Sequence, residues 1–430
     1  MTPTYDLAII GSGPGGFAAA MTSARRGLKV ALIEREWWGG VCLNVGCIPT
    51  KALITVANLK RRIQQASALG LHVEGLRVDY AAVMARNERI VTTLRQGLVQ
   101  LLRHHQVELI SGEATFEDAR TLALRHGGET QALSAQRMLI ATGARPHPGP
   151  WGFDGIQRLS YRDALRLPTL PVSLLIIGGG VIGCEFASCF ANFGVPVTIV
   201  EQEPQLLPGE DPEAVRLLSQ QLRAHGVTIL TGMTVEALTS TSTGAQAALS
   251  DGSQVRAERC LIAIGLLPNT ETLGLSRIGV ETREGRVVVA SSRLTQHPHI
   301  AAIGDCIEGP GLAHMASAEG AFVADVLTGS SPSRELGIVP RCVFTDPEMA
   351  QVGLAESEAP VSARVSRVAF AALGKGFCDE EPEGFVKLIV DASTDQVLGG
   401  TIVGAHASDM IHLITVAIHH RLTAKQLART

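Results

Sequence analysis

Aromatic residues make up only 4% of the 430-residue chain, and charged residues 18%. The aromatic scarcity, set beside 45 glycines and a 46% apolar fraction, points to α/β layers with many tight turns and close backbone approaches. An apolar fraction that high also excludes disorder as a description of the whole chain. No strong charge of one sign is present: the formal net charge is −4, which argues against a nucleic-acid partner. The amino terminus, MTPTYDLAII, has no basic segment ahead of its apolar stretch and does not read as a signal peptide. No apolar run reads as a bilayer span; the longest, residues 172–184, is interrupted by four glycines. No membrane partner is therefore expected. Eight cysteines are too few for a disulfide scaffold, so a cytoplasmic location is expected. The length suggests two to four domains.

What is present is a repeat. Tyr5–Glu34 and Val172–Glu201 each run apolar strand, Gly-x-Gly-x-x-Gly, small-residue helix, glycine turn, second apolar strand and terminal Glu. The glycines are Gly11, Gly13 and Gly16 in one copy and Gly178, Gly180 and Gly183 in the other. The same 23 residues separate Gly11 from Glu34 and Gly178 from Glu201. In this grammar the first glycine makes the strand-to-helix turn and the second admits a pyrophosphate to the helix N-terminus. The third lets helix and strand pack closely, and the acid accepts ribose hydroxyls. Two dinucleotide sites are expected. Glu201 would repel a 2′-phosphate, and no Arg or Lys follows it through Pro208, so the second site favours NAD over NADP. FAD is the natural occupant of the first.

A second motif, GGVCLNVGCIPTKAL at residues 39–53, holds Cys42 and Cys47. Five residues of ideal helix rise ~7.5 Å, beyond the usual ~4.4–6.8 Å between bridged Cα atoms. A bridge needs a distorted turn, which Gly46 can supply; two buried free cysteines are the alternative. A helix through residues 52–62 would put its N-terminal end near Cys47 and favour a thiolate there. Cys184, Cys189, Cys260, Cys306, Cys342 and Cys378 read as small core residues. No second Cys/His pair suits zinc, so no metal is expected.

With these motifs the sequence resembles the flavin-dependent pyridine nucleotide–disulfide oxidoreductases, the family that includes glutathione reductase and mercuric reductase. It is most similar to the branch that oxidises dihydrolipoamide. MLIATGARP (138–146), LIAIGLLPNTE (261–271), IAAIGDC (300–306), LAHMASAEG (312–320) and VFTDPEMAQVGL (343–354) carry the resemblance along the whole chain. It implies an α/β fold with two Rossmann-like dinucleotide-binding domains and a C-terminal α+β dimerisation domain. The implied order is an FAD domain with a redox-active disulfide at 1–146 and an NAD domain at 147–270. A central segment at 271–337 would complete the FAD side, and a dimerisation domain would follow at 338–430. The resemblance also assigns roles: Cys42 as the interchange thiol, Cys47 against the flavin, and Lys51 near flavin N5 paired with Glu185. Asp305 would meet the FAD ribityl chain. Gly143 and Gly265 would lie on the cofactor side, and the helix near His314 would aim its positive end at the flavin. The implied reaction is dihydrolipoamide + NAD to lipoamide + NADH. The implied partners are a second copy in a homodimer and a lipoyl group on the carrier domain of a 2-oxoacid dehydrogenase or glycine-cleavage complex. Read without the family, Glu185 could face solvent, Asp305 could be a helix cap, His314 a packed histidine and Lys51 a surface lysine.

Three features depart from the family pattern. The family's general base, a His oriented by a Glu, lies in an HxHPTxxE-like segment. This sequence stops at LTAKQLART, where that segment would begin. A C-terminally truncated dimerisation domain and slow lipoamide turnover in this form are therefore expected. His297 belongs to the strand leading to Asp305, His419 and His420 read as an exposed helix end, and His406 and His412 have no Glu at the family's spacing, so none of them takes the base's role. Leu266 stands where the family often has Arg, and Trp37–Trp38 could pack either on the adenosine side of FAD or on a neighbouring strand. The alternative activities are mercuric reductase or another NAD(P)H-dependent disulfide reductase; a non-catalytic flavin-binding subunit is the alternative of another class.

Overall fold

The structure, a computed structural model, describes residues 4–330 and 336–430. Part of the expected central segment, residues 331–335, lies outside the described residues. The chain forms two compact units. One comprises Met1–Pro49, Arg86–Pro146 and Leu266–Leu336; the other comprises Thr50–Ala85, His147–Gly265 and Gly337–Thr430.

The first unit is built on a parallel sheet ordered Glu108–Ser111, Val30–Glu34, Tyr5–Ile10, Glu129–Ile140 and Ile300–Ala302. Glu129–Ile140 also belongs to an antiparallel meander with Thr121–His126 and Glu113–Asp118. Tyr5–Ile10 is buried along nearly its whole length, as a parallel strand covered on both faces must be. Helix α1 (Pro14–Arg25) starts with Pro14 in its first turn and is rich in Gly and Ala. Those small residues let a second helix approach: a Cβ at Gly320 would collide with the Gly15 carbonyl. Gly320 belongs to a late helix, Ala313–Leu327. Two short helices follow the second strand, α2 (Gly40–Val45) and the start of α3 (Cys47–Gln65).

The second unit repeats the plan. Its parallel sheet is ordered Val227–Thr231, Val197–Glu201, Leu174–Ile177, Arg259–Ile262 and Arg158–Leu159. The meander is Val235–Thr241, Gly244–Leu249 and Gln254–Ala257. In chain order come α4 (Tyr80–His104), which from Arg86 on belongs to the first unit, then in the second the single turn α5 (Tyr161–Ala164), α6 (Val181–Asn192) and α7 (Pro212–Ala224). Helix α8 is the Ala313–Leu327 segment of the first unit.

The C-terminal part is an antiparallel sheet ordered Arg341–Val343, Glu348–Gly353, Val397–Gly404, Phe385–Asp391 and Ala363–Ala369. It carries the short helix α9 (Gly374–Cys378) and α10 (Ala407–His419). Ile411, Ile414 and Ala417 of α10 are buried with Ala350, Val352 and Ile402 of the sheet. The sequence predicts strands near 341–344, 385–390 and 398–403 and a helix from 408; strands Glu348–Gly353 and Ala363–Ala369 complete the sheet.

Three expectations need correction. Cys378 is exposed, because α9 is too short to bury a face, and Cys342, on the edge strand Arg341–Val343, is only half-buried; the other four unpaired cysteines are core residues. His314 is exposed rather than packed. One stretch, Gly40–Leu69, is long and apolar enough in composition to cross a bilayer. It is split at Gly46 into α2 and α3, and Leu53, Ile54 and Ala57 enter the core, so core packing accounts for its apolar character.

Candidate active site

The two glycine loops are superimposable in chemistry. Gly11 has φ 103° and Gly178 φ 106°, backbone that side chains other than glycine rarely adopt. A Cβ at either would collide with a carbonyl at the end of the next parallel strand, Ala141 or Ala263. A Cβ at Gly16 would strike the Gly11 carbonyl, and one at Gly183 the Gly178 carbonyl. By contrast nothing lies within 4 Å of a Cβ built at Gly13 or Gly180. These two residues cap α1 and α6, and neither helix has a side-chain cap. Each loop therefore presents open backbone at a helix end that has no side-chain cap, the geometry that suits a pyrophosphate.

The terminal acids also match. Glu34 Oε2 accepts the Ser12 N–H at 3.0 Å and the Ser12 hydroxyl at 2.7 Å, while Oε1 accepts the Glu36 N–H at 2.9 Å. Glu201 Oε2 accepts the Gly179 N–H at 2.5 Å, and Oε1 the Glu203 N–H at 2.8 Å. Each acid is thus anchored to its own glycine loop. Ser12 also accepts the Gly39 N–H at 3.0 Å, tying the first loop to α2.

Cys42 and Cys47 form a disulfide with Cα atoms 4.6 Å apart. The bridge is possible because the helix stops between them: Gly46, at φ −138° and ψ −111°, ends α2, and Cys47 opens α3. A Cβ at Gly46 would sit 3.0 Å from the Val41 carbonyl oxygen and 3.3 Å from Cys42 Cα. Asn44 holds α2 in place, donating to the Trp38 and Gly40 carbonyls at 2.9 and 2.8 Å and accepting from Arg95 at 3.1 Å. Trp38 packs against the core of the first unit, so it joins the protein's own packing; the Trp37 carbonyl caps the turn by accepting the Gly40 N–H at 2.9 Å.

Lys51, one turn beyond Cys47 on α3, donates to both oxygens of Glu185 at 2.9 and 2.7 Å. Glu185 is buried, with 4% of its surface exposed, so it does not face solvent. Its Oε1 also accepts the Phe344 N–H at 3.1 Å.

Asp305 lies in a turn of 3₁₀ helix, Gly304–Cys306, just past the strand Ile300–Ala302. Burial raises its carboxyl pKa, opposed by Arg286. The turn is fixed by Glu319 of α8, which accepts the Gly304 N–H at 2.8 Å and pairs with Arg293 at 3.0 Å. Gly143 accepts the Asn269 N–H at 2.9 Å, and Gly265 the His147 N–H at 3.0 Å. Both have positive φ, 64° and 127°, with nothing within 4 Å of an added Cβ.

Sequence reasoning missed Glu319, Asn44, Arg95 and Phe344. Glu319, Asn44 and Phe344 lie in recognised motifs but act through backbone groups, which no spacing rule reports. Among the described residues no cluster of His, Cys, Asp and Glu suits a metal ion.

A doubled dinucleotide cradle with a disulfide at the start of a helix defines a class, the flavin- and nicotinamide-dependent disulfide oxidoreductases. Residues 5–320 match the pyridine nucleotide-disulphide oxidoreductase family, and residues 339–430 match its dimerisation domain. The chain belongs to this family. Dihydrolipoyl dehydrogenase of Geobacillus stearothermophilus is 35% identical over 99% of this chain and 92% of its own length. Dihydrolipoyl dehydrogenase of Zymomonas mobilis is 37% identical over 100% and 95%. The crystal structure of LpdA from Mycobacterium tuberculosis shares a TM-score of 0.92 at 31% identity, covering 99% of this chain and 95% of that one. The HOCl-induced flavoprotein disulfide reductase RclA from Escherichia coli gives 0.87 at 30%, covering 97% and 94%. The chain is a dihydrolipoyl dehydrogenase-like oxidoreductase that uses FAD and NAD.

Proposed function

We propose that this protein oxidises dihydrolipoamide with NAD through the Cys42–Cys47 disulfide, the substrate being carried as a lipoyl group on a partner domain. The observation that carries this reading is the disulfide at the start of α3. A substrate thiolate attacks the sulfur of Cys42, forming a mixed disulfide and breaking the Cys42–Cys47 bond. Cys47 leaves as a thiolate, which the N-terminal end of α3 favours. The second substrate thiolate displaces Cys42, releasing the oxidised dithiolane and leaving both cysteines reduced. FAD and NAD, when bound, supply the electron-pair and hydride chemistry that reoxidises the cysteines. The chain's part is to hold them. Gly11, Gly13, Gly16 and Glu34 suit the FAD pyrophosphate and ribose, and Gly178, Gly180, Gly183 and Glu201 those of NAD. Asp305, Gly143 and Gly265 are assigned to the cofactor side. Lys51 supplies a positive charge beside the flavin, with Glu185 as its counter-ion. His314 has no assigned proton to move; its place in the first turn of α8 supports only a role in presenting that helix end. The division into FAD domain 1–146, NAD domain 147–270, central segment 271–337 and dimerisation domain 338–430 follows from these assignments. The match to the dimerisation domain supports a homodimer, and action in the cytoplasm belongs to the same reading.

The test is anaerobic spectroscopy with and without Cys42. The purified protein should be yellow, bleach with NADH and form NADH from NAD and dihydrolipoamide, though slowly; Cys42→Ser should keep the colour and lose dithiol turnover. Dithiol turnover that survives Cys42→Ser rejects the reading. A second reading draws support from the likeness to RclA, a disulfide reductase whose crystal structures include a Cu(II) complex. In it the cysteines reduce a metal ion or another disulfide. NADH oxidation driven by such acceptors, with no lipoamide turnover, would favour it.

A further inference from the structure

The Lys51–Glu185 pair does not stand alone. Glu185, Ser188 and Asn192 recur at i, i+3 and i+7 on one face of α6 and are 4%, 1% and 4% exposed. Three buried polar residues in a row on an otherwise apolar helix need partners, and they share two sets. From α3 come Lys51, which meets Glu185, and Asn58, whose side-chain amide oxygen accepts from the Asn192 side-chain NH2 at 2.9 Å. From the C-terminal sheet comes the segment Phe344–Asp346. Its Phe344 N–H reaches Glu185 at 3.1 Å, its Asp346 N–H reaches the Ser188 hydroxyl at 3.0 Å, and the Asp346 carboxylate accepts from Asn192 at 3.3 Å. Arg61 of α3 closes the circuit on Asp346 at 2.7 Å.

Within this circuit Phe344 touches both members of the pair. Its ring lies under the Lys51 ammonium, 4.5 Å from nitrogen to centroid, and its backbone N–H holds the carboxylate oxygen that Lys51 also uses. A lysine ammonium is a compact charge on a flexible stem. The two hydrogen bonds to Glu185 leave it free to swing about the carboxylate, and the aromatic face removes that freedom by attracting the cation from a fixed side. Ser188, Asn192 and Arg61 in turn fix the segment that carries the ring.

We infer that Phe344 is a positioning residue for the reaction: the C-terminal segment 344–346 aims the Lys51 ammonium through the Phe344 ring and backbone. This rests on the reading, given above, that Lys51 serves the flavin. Ring and backbone contributions are separable, because Phe344→Leu removes the ring and keeps the N–H, while Phe344→Tyr keeps both.

The experiment is a double-mutant cycle on the FAD-loaded protein. Flavin reduction by NADH is followed by anaerobic stopped flow, and the visible absorption of the oxidised flavin is recorded separately. Phe344→Leu is expected to slow flavin reduction about 3- to 10-fold, the range an oriented cation–π contact supports, and to displace the flavin band in the direction that Lys51→Met does. Phe344→Tyr should restore both. In a Lys51→Met background Phe344→Leu should have no further effect. Equal effects of Phe344→Leu with and without Lys51, or no effect in either, overturn the inference alone. A Lys51→Met variant with unchanged band and unchanged reduction overturns the role of Lys51 and the inference with it. Should Phe344→Leu fail to fold, Ser188→Ala releases the same segment with the ring intact; a smaller slowing that also vanishes without Lys51 supports the inference, and one that persists rejects it.

Discussion

Lys387 donates to both carboxylate oxygens of Asp211, at 3.2 and 2.9 Å, and Asp211 is the residue that caps helix α7 by accepting the Glu213 and Ala214 N–H groups. Glu356 and Glu213 also lie at 2.7 and 3.0 Å from the same ammonium, and Lys387 is only 3% exposed. Burial alone would lower its pKa, but the hydrogen bonds it donates to Glu356, Asp211 and Glu213 outweigh burial and raise it. A raised lysine pKa adds stability that is complete below the unfolded value of about 10.4 and disappears as pH climbs through the folded value. Lys387→Met should therefore cost about 3–5 kcal/mol at pH 7, because it strands buried carboxylate. Denaturant melts should show that loss to be constant from pH 7 to 9. A variant as stable as the parent would mean that the carboxylates find solvent instead.

The contrast between the second and third glycines of a loop gives a paired test. Gly180→Ala meets no neighbour and should leave Tm unchanged while weakening NADH binding about tenfold or more, a cost of about 1.4 kcal/mol. Gly183→Ala drives a methyl into the Gly178 carbonyl and should cost about 1–3 kcal/mol of stability. Thermal melts and NADH fluorescence titrations on the two proteins separate the effects.

Gly46 controls whether the cysteines can meet. A side chain there would press on the Val41 carbonyl and on Cys42 itself, so Gly46→Val should push Cys42 away from Cys47. Thiol titration of the unfolded, air-oxidised protein should then count about two more free thiols than in the parent. An unchanged count would show that the turn closes without glycine.

His225, at the C-terminal end of α7, has its pKa pushed down to about 4 by burial and by Arg61, against a weaker pull from Asp346. An imidazole held neutral in the folded state gives stability that is complete above the unfolded value of about 6.5 and is lost as pH falls towards 4. Tm should fall across that window, and His225→Asn should flatten this part of the profile. A variant whose Tm falls as steeply as the parent's would assign the acid sensitivity elsewhere.

Much of the chemistry was legible in the sequence because it is imposed at short range. A strand-to-helix turn, a close helix and an open cradle each demand glycine at a fixed offset, so Gly11, Gly13, Gly16 and their counterparts announce themselves. The cysteine spacing was legible only in part: ideal helix geometry disfavours the bridge, and the break at Gly46 that permits it leaves no periodic trace. Phe344 was not legible as a positioning residue, because it meets Glu185 through a main-chain N–H across 159 positions of chain. Strand Ala363–Ala369 was missed because an edge strand with Arg364 and Arg367 on its exposed positions lacks apolar alternation. Cys378 was misjudged because residue type says nothing about a five-residue helix with no core beneath it.

Glu201 spends one direction of each oxygen on the main chain, at Gly179 and at Glu203. Such a carboxylate is a fixed wall rather than a swinging gate. On the proposed reading it keeps acceptor capacity for a ribose hydroxyl, yet cannot retreat before a phosphate. Choice of coenzyme would then be written into the loop's folding, and altering it would require rebuilding that turn as well as exchanging the acid.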